Sequence, residues 1–131
     1  MKVLKRISVF LLPILTACQA ASQTNPQTVM SLAGSEWGSA VENQYIHFGS
    51  REKLDGNGGC NRFSGSFAQD GTALKIGPLM STKMACANLR DEQEFFQILE
   101  NAKRIEVSHL TLVLKNQADE VLLTLRRRDW D

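Results

Sequence analysis

GCNRFSGSF, at residues 59–67, ends in an alternating run in which two serines separate Phe63, Gly65 and Phe67. Successive side chains of an extended chain point to opposite faces, so Phe63, Gly65 and Phe67 share one face and the two serines between them share the other. This period of two is typical of a half-buried strand. A sequence organised around such a strand favours a mainly β fold.

The same alternation recurs on both sides of this strand. Short apolar and polar runs are separated by turn chemistry such as Asp70-Gly71, a dipeptide typical of tight hairpins. The glycine-rich run at 55–59 predicts a longer turn. We predict strands at 36–41, 45–48, 51–54, 63–67, 73–76, 105–107, 110–114 and 121–125, with further turns at 42–43, 108–109 and 116–120.

Residues 89–102 have the period of a helix instead. They place Leu89, Phe96 and Leu99 on one stripe and keep the first turns polar. Asn88 is predicted to cap this helix. Such an apolar stripe is most often core, although an aromatic ligand cradle would share the pattern. Burying the stripe against a curled sheet predicts a small antiparallel β-barrel-like meander with one packed α-helix.

The beginning of the chain has the form of an export signal. A basic segment precedes an apolar run that ends in the small residues Thr16-Ala17, where a peptidase would cut. The run is shorter than the roughly 20 residues that a spanning helix needs. We therefore expect a signal peptide at residues 1–17.

Leu15-Thr16-Ala17-Cys18 resembles a bacterial lipobox. The resemblance implies that Cys18 is acylated, becomes the new N-terminus and holds the protein on a membrane through its acyl chains. Gln19 follows the cysteine, which by the enterobacterial sorting rule favours the outer membrane, facing the periplasm. An ordinary secretory signal with an incidental cysteine is the alternative. Residues 18–29 would form the lipidated end and a flexible tether, and residues 30–131 one small domain.

The charge balance shows no excess of basic residues of the kind that nucleic-acid binding requires. The whole chain has 15 basic and 14 acidic residues and a formal net charge of +1. Loss of Lys2, Lys5 and Arg6 with the signal leaves 12 basic residues and a net charge of −2. The arginines at 126–128 are interpreted as a solvated strand end, because aspartates follow them at once. We expect no nucleic-acid partner.

Two cysteines remain once Cys18 is acylated, in a chain exported to an oxidising compartment. Cys60 and Cys86 would close a loop of about 27 residues, which the chain-entropy estimate values at roughly 3 to 4 kcal/mol. We predict a disulfide between them. A reactive or metal-binding pair is the alternative, but no C-x-x-C spacing is present, and His47 and His109 do not complete a zinc pattern. No metal is expected.

Four segments together resemble a known family. They are residues 59–67, 74–76, 81–86 and 94–99, in that order and spacing. They closely resemble the META domain, also called the HslJ-like family after a heat-inducible bacterial envelope protein. The resemblance spans nearly all of residues 32–126. It implies a small antiparallel β-barrel-like fold with a helix, and envelope or stress-linked roles, but no known reaction.

The shared motif is easier to explain as architecture than as catalysis. Gly58 and Gly59 permit a tight turn with positive φ. Asn61 can hydrogen-bond local backbone within that turn, and Gly65 lets a bulky neighbour cross the strand closely. As a binding surface, the same region offers four candidate interaction residues, Asn61, Arg62, Lys83 and Met84.

The sequence contains no evident catalytic constellation. Neither histidine has a sequence-evident nucleophile and orienting acid, and the run at 56–59 lacks the lysine of a phosphate loop. We expect no enzyme and no cofactor. Turn or helix-start positions explain the acidic candidates Asp55, Asp70, Asp91 and Glu92.

Three non-enzymatic functions fit these features. The leading one is a lipid-anchored envelope module that binds another protein or supports the envelope under stress. The second is a small carrier whose barrel mouth accepts an apolar ligand. The third is an inhibitor of a cell-wall-degrading enzyme. Residues 64–66 superficially resemble a lysozyme-inhibitor motif, but Phe67 stands where that motif has glycine.

Overall fold

The computed structural model describes residues 28–129 of the chain. Within that range the protein forms nine β-strands and one α-helix. In chain order these are β1 (Ser35–Gly38), β2 (Gln44–Phe48), β3 (Lys53–Gly58), β4 (Arg62–Asp70), β5 (Ala73–Ile76), β6 (Met80–Ser81), α1 (Leu89–Asn101), β7 (Arg104–Val107), β8 (Thr111–Lys115) and β9 (Val121–Arg127).

Eight of the strands close into an antiparallel barrel, which confirms the predicted fold class. Their hydrogen-bonded order is β3-β2-β1-β9-β8-β7-β5-β4, and a further pairing of β3 with β4 completes the ring. β6 stands outside the ring and pairs with the half of β4 that β5 leaves uncovered. Within residues 28–129, no helix is long and apolar enough to span a membrane.

Burial along the strands follows the alternation in the sequence. In β4, Phe63 and Phe67 point into the barrel, and Ser64 and Ser66 face outward. The strands on the far side of the ring show the same alternation. Their inward-facing residues belong to a single hydrophobic core. The largest fully buried side chains of that core are Trp37, Phe48 and Phe95.

The predicted long turn at 55–59 is wrong, because most of this run belongs to β3. Asp55 is therefore a strand residue, not a turn residue. The glycines take inward positions where a side chain has no room: a Cβ on Gly56 would lie 2.7 Å from Cζ of Phe63. Glycine is normally depleted in strands, but it is tolerated where another group approaches this closely. The turn itself is confined to the residues around Gly59, whose φ is +116°.

α1 closes one end of the barrel, within one residue of its predicted bounds. Its core-facing stripe runs through Phe95 and Leu99, which are 1% and 0% exposed, whereas Phe96 is only half-buried. The predicted stripe through Phe96 is thus displaced by one residue. The predicted cap is also wrong: Asn88 makes no side-chain capping hydrogen bond, and its φ of −100° and ψ of 26° are not the extended geometry of a cap.

Candidate interaction site

Residues 77–88 connect β5 to α1 and run beside β4, and we call this segment the strap. It contains β6 and only that one short strand. Met80 and Met84 of the strap point outward and are 75% and 57% exposed. Exposed methionines are flexible, polarisable side chains that adapt to apolar partners, so these two are candidate contacts.

Asn61 fixes the strap from below. The residue is 3% exposed and follows the Gly59 turn. Its Oδ1 accepts hydrogen bonds from Oγ1 of Thr82 at 2.8 Å and from the backbone N–H of Met84 at 2.7 Å. Its Nδ2 donates to the carbonyl of Met84 at 3.2 Å. One amide side chain therefore binds both backbone groups of Met84, as a neighbouring strand would.

Glu92 of α1 holds Asn61 in turn. This carboxylate is 4% exposed and accepts three hydrogen bonds. Oε1 receives the backbone N–H groups of Asn61 at 2.5 Å and Cys60 at 3.3 Å, and Oε2 receives Nδ2 of Asn61 at 2.7 Å. A Cβ on Gly58 would lie 2.5 Å from Cγ of Glu92, so the glycine makes space for the acid. The burial of the acid is compensated because all three partners are donors.

A disulfide completes this arrangement. Cys60 and Cys86 are bonded, with their Cα atoms 6.0 Å apart, which confirms the predicted pairing. The bond ties the end of the strap to the turn between β3 and β4. The strap is thus held covalently at Cys86 and by hydrogen bonds at Met84 and Thr82.

The structure separates the four candidate interaction residues into two groups. Arg62, Lys83 and Met84 are exposed, and their role as contact residues stays a prediction. Asn61 is buried beneath them and is wrong as a contact residue, because its amide is used to bind Met84 and Glu92. Its role is to support the surface. The lipidation candidate Cys18 lies outside the described residues and stays a prediction, as does the signal peptide at residues 1–17.

Two supporting residues were not found from the sequence. Glu92 was interpreted as a helix-start acid, but its spacing of three and seven residues from Phe95 and Leu99 places it on the buried stripe. That spacing was the available signal. Gln44 is 5% exposed, and its Nε2 donates to the carbonyls of Gly58 at 2.9 Å and Asp91 at 3.3 Å. It joins β2 and β3 to the start of the helix.

A groove runs between the strap and α1. It consists of two adjoining depressions of about 550 and 340 Å³, which share Ser81, Lys83 and Phe96. The helix contributes one stripe to it, distinct from its core stripe, and Lys103 and Glu100 lie at one end. The barrel interior, in contrast, is occupied by the packed core.

Other candidate chemical groups lie elsewhere. Nδ1 of His47 is 2.9 Å from Oδ1 of Asp55 on the outer face of β2 and β3, and His109 lies in the turn before β8. Within residues 28–129 no group of three or more His, Cys, Asp or Glu side chains is placed to hold a metal ion. A hydrogen bond to Glu106 raises the pKa of Lys115, and a hydrogen bond from Arg127 lowers the pKa of Asp129.

Comparison with family models decides the relationship of this chain to known proteins. The META domain model matches residues 20–129. The chain belongs to the META domain family. The resemblance expected from residues 59–67 and the segments after them is therefore confirmed. No curated protein matches the chain.

Solved structures share the fold of this META domain. A protein from Burkholderia xenovorans, determined by NMR, is 24% identical with a TM-score of 0.62, over 74% of this chain and 83% of that one. A second NMR structure is 23% identical with a TM-score of 0.54, over 71% and 88% of the two chains. A crystal structure of a DUF4847 family protein from Bacteroides vulgatus is 19% identical with a TM-score of 0.52, over 68% and 62%. At these identities the similarity shows the fold alone.

Proposed function

We propose that this META domain protein is a lipid-anchored protein of the cell envelope that binds another protein through the strap and has no catalytic activity of its own. The observation that carries the proposal is an exposed surface held from below by buried groups. Met80, Lys83 and Met84 point outward, while Asn61 and Glu92 fix the backbone beneath them.

The physical reason for this choice is pre-organisation. A surface segment that is already ordered loses less conformational entropy when a partner binds, so more of the contact energy appears as affinity. The strap makes little regular secondary structure, but it is held by the disulfide to Cys60 and by three hydrogen bonds with the side chain of buried Asn61, which donates one and accepts two. Buried polar groups thus hold one surface segment in place, which supports a binding role for that segment.

The occupied interior supports surface binding over an internal carrier site. Core residues from the strands and α1 form one packed cluster, and Trp37, Phe48 and Leu99 are all 0% exposed. A ligand inside the barrel would have to displace side chains packed at the density of a protein interior. Binding on the strap requires no such rearrangement.

Site-specific photo-cross-linking in living cells tests the protein-binding part. A photoreactive phenylalanine replaces Met84, and the control replaces Val121, which is 61% exposed against 57% for Met84. We expect a discrete cross-linked protein from position 84 and none of the same mass from position 121. The same band from both positions, or none from position 84, would contradict the proposal.

Acyl-chain labelling tests the anchor independently. Cys18→Ser should abolish incorporation of labelled palmitate and release the protein from the membrane fraction. The matched control replaces Cys60 and Cys86 by serine together, which should leave the label in place. A Cys18→Ser variant that still carries the label would refute lipidation at this position.

A further inference from the structure

β6 leaves one backbone edge unpaired within the described part of the chain. The backbone N–H of Thr82 donates to the carbonyl of Arg62 at 3.0 Å, and Ser81 lies opposite Phe63. Hydrogen-bonding residues alternate along an antiparallel ladder, so the N–H and C=O of Ser81 point away from β4. Across residues 28–129, β4 is the strand that pairs with β6. The groups of Ser81 are thus available to a further strand.

The free edge lies at the groove between the strap and α1. Ser81 contributes to both depressions of that groove. Facing it are the helix positions Leu89, Gln93, Phe96 and Glu100, spaced four, three and four residues apart, and Lys103 follows the end of the helix. At a rise of 1.5 Å per residue the stripe from Leu89 to Glu100 is about 16 Å long, which equals about five residues of extended chain at 3.3 Å each.

Two lysines and two glutamates line the groove. Lys83, Lys103 and Glu100 are exposed, whereas Glu92 is buried and its carboxylate accepts three hydrogen bonds from the Cys60–Asn61 turn. Residues 28–129 as a whole carry 12 basic and 13 acidic side chains. Within the groove two exposed lysines face one exposed glutamate, so a lysine is available to an acidic side chain of a ligand.

We propose that the groove binds an extended peptide segment of a partner protein, which adds as a strand to the Ser81 edge, packs apolar side chains on Phe96 and directs acidic side chains to Lys83 and Lys103. This inference rests on the proposed protein-binding function and names the partner chemistry. Main-chain hydrogen bonds supply affinity in such strand addition, and alternate side chains supply specificity.

The strand edge favours a peptide over an anionic amphiphile. A fatty acid would use Phe96 and the lysines, but it has no repeating N–H and C=O groups to pair with Ser81. The two ligands therefore differ in their dependence on the backbone of Ser81. That difference determines the design of the experiment.

The test is a selection from a library of random 12-residue peptides on the full chain held in phospholipid nanodiscs. We expect enriched peptides that alternate apolar and acidic residues. Ser81→Pro, which removes the outward N–H, should weaken their binding about three- to tenfold, the usual range for one net hydrogen bond. Lys83→Glu should weaken binding by a comparable factor. Lys75→Glu, an exposed position outside the groove, should not.

Folding and an alternative ligand are controlled in the same preparations. An unchanged melting temperature of the Ser81→Pro variant shows that the barrel is intact. Absence of enriched peptides, or peptides that bind Ser81→Pro and Lys83→Glu as well as the parent chain, would overturn the inference. So would dodecanoate that competes for the groove through Lys83 with no effect of Ser81→Pro.

The fate of the cross-link separates this inference from the proposed function. If the photo-cross-link at position 84 persists unchanged in the Ser81→Pro variant, the protein binds a partner but not at this edge. If position 84 gives no cross-link and no peptide is enriched, both ideas fail. Loss of both the cross-link and peptide binding in Ser81→Pro supports both.

Discussion

The β7–β9 meander and the strap hold their backbones in place by different means. In the meander, neighbouring strands pair with each other, and Leu112, Leu114 and Leu125 are 0% exposed beneath them. In the strap, strand pairing is limited to two residues, and order comes from Asn61, Glu92 and the disulfide. The difference teaches that an exposed segment can be ordered without regular structure when buried side chains replace a partner strand.

This contrast has a consequence for stability. Apolar burial in the meander is shared by the whole barrel, so its loss should affect global unfolding. The polar contacts of the strap act on a single segment, so their loss should raise local mobility as well. Substitutions can therefore separate the two regions.

The largest expected effect on stability comes from substitutions in α1, which contributes side chains both to the core and to the groove beside the strap. Phe95 packs in the core, whereas Phe96 lines the groove. Phe95→Ala should lower the free energy of unfolding by about 3 to 5 kcal/mol, and Phe96→Ala by clearly less, since it leaves a smaller cavity. Chemical denaturation of both variants measures this. Equal losses would mean that the two stripes of the helix are not distinct.

The next effect is that of the disulfide. Replacing Cys60 and Cys86 by serine removes the cross-link from a loop of about 27 residues, and we expect a loss of roughly 3 to 4 kcal/mol. Hydrogen exchange should accelerate most in the strap. Exchange that accelerates equally in β7–β9 would show that the bond stabilises the barrel as a whole and not the strap in particular.

Glu92 should have a smaller but more local effect. Glu92→Gln places an amide N–H₂ where three donors converge, and we expect a loss of about 1 to 3 kcal/mol together with faster exchange at Met84. Glu94→Gln is the matched control, the same change at an exposed position of α1. It should alter stability by no more than about 0.5 kcal/mol. Similar losses in both variants would contradict the supporting role of Glu92.

The smallest effect belongs to the end of β9. Nε of Arg127 donates to Oδ1 of Asp129 at 2.9 Å, and this bond holds the pKa of Asp129 below its usual range. A lowered folded-state pKa stabilises the protein above the unfolded value, and that contribution disappears as the pH falls through the folded value. Asp129→Asn should therefore cost under about 1 kcal/mol at pH 7 and nothing at strongly acidic pH.

Denaturation curves of Asp129→Asn and the parent chain at both pH values check this sign. A difference that persists at strongly acidic pH would show that the substitution acts by something other than charge. At neutral pH, the small loss of stability in Asp129→Asn should appear as melting of β7–β9 and not of the strap, because β9 pairs with β8.

Local patterns predicted a large part of the fold. The alternation of Phe63 and Phe67, the hairpin turns and the helical period at 89–102 each depend on residues close in sequence, and the structure confirms them. The disulfide also followed from counting cysteines in a chain that we expect to be exported.

The errors arose where a distant residue changes the meaning of a local pattern. The glycines at 56 and 58 resemble a turn until the ring of Phe63 and the carboxylate of Glu92 are placed against them. Asn61 resembles a turn residue until the strap crosses above it. Phe63, Glu92 and the strap are not adjacent in sequence to the residues that they contact. Composition and hydrophobic period therefore do not identify these contacts.

The sequence by itself determined a mainly β META domain with one helix and a disulfide, because pleat, helical period and cysteine count are properties of short segments. Only the tertiary structure decided that Asn61 is buried, that Glu92 holds it, and that Ser81 leaves a free edge beside Phe96. Those features depend on closing the barrel, which brings β3, β4, the strap and α1 to one end and gives each buried donor its acceptor.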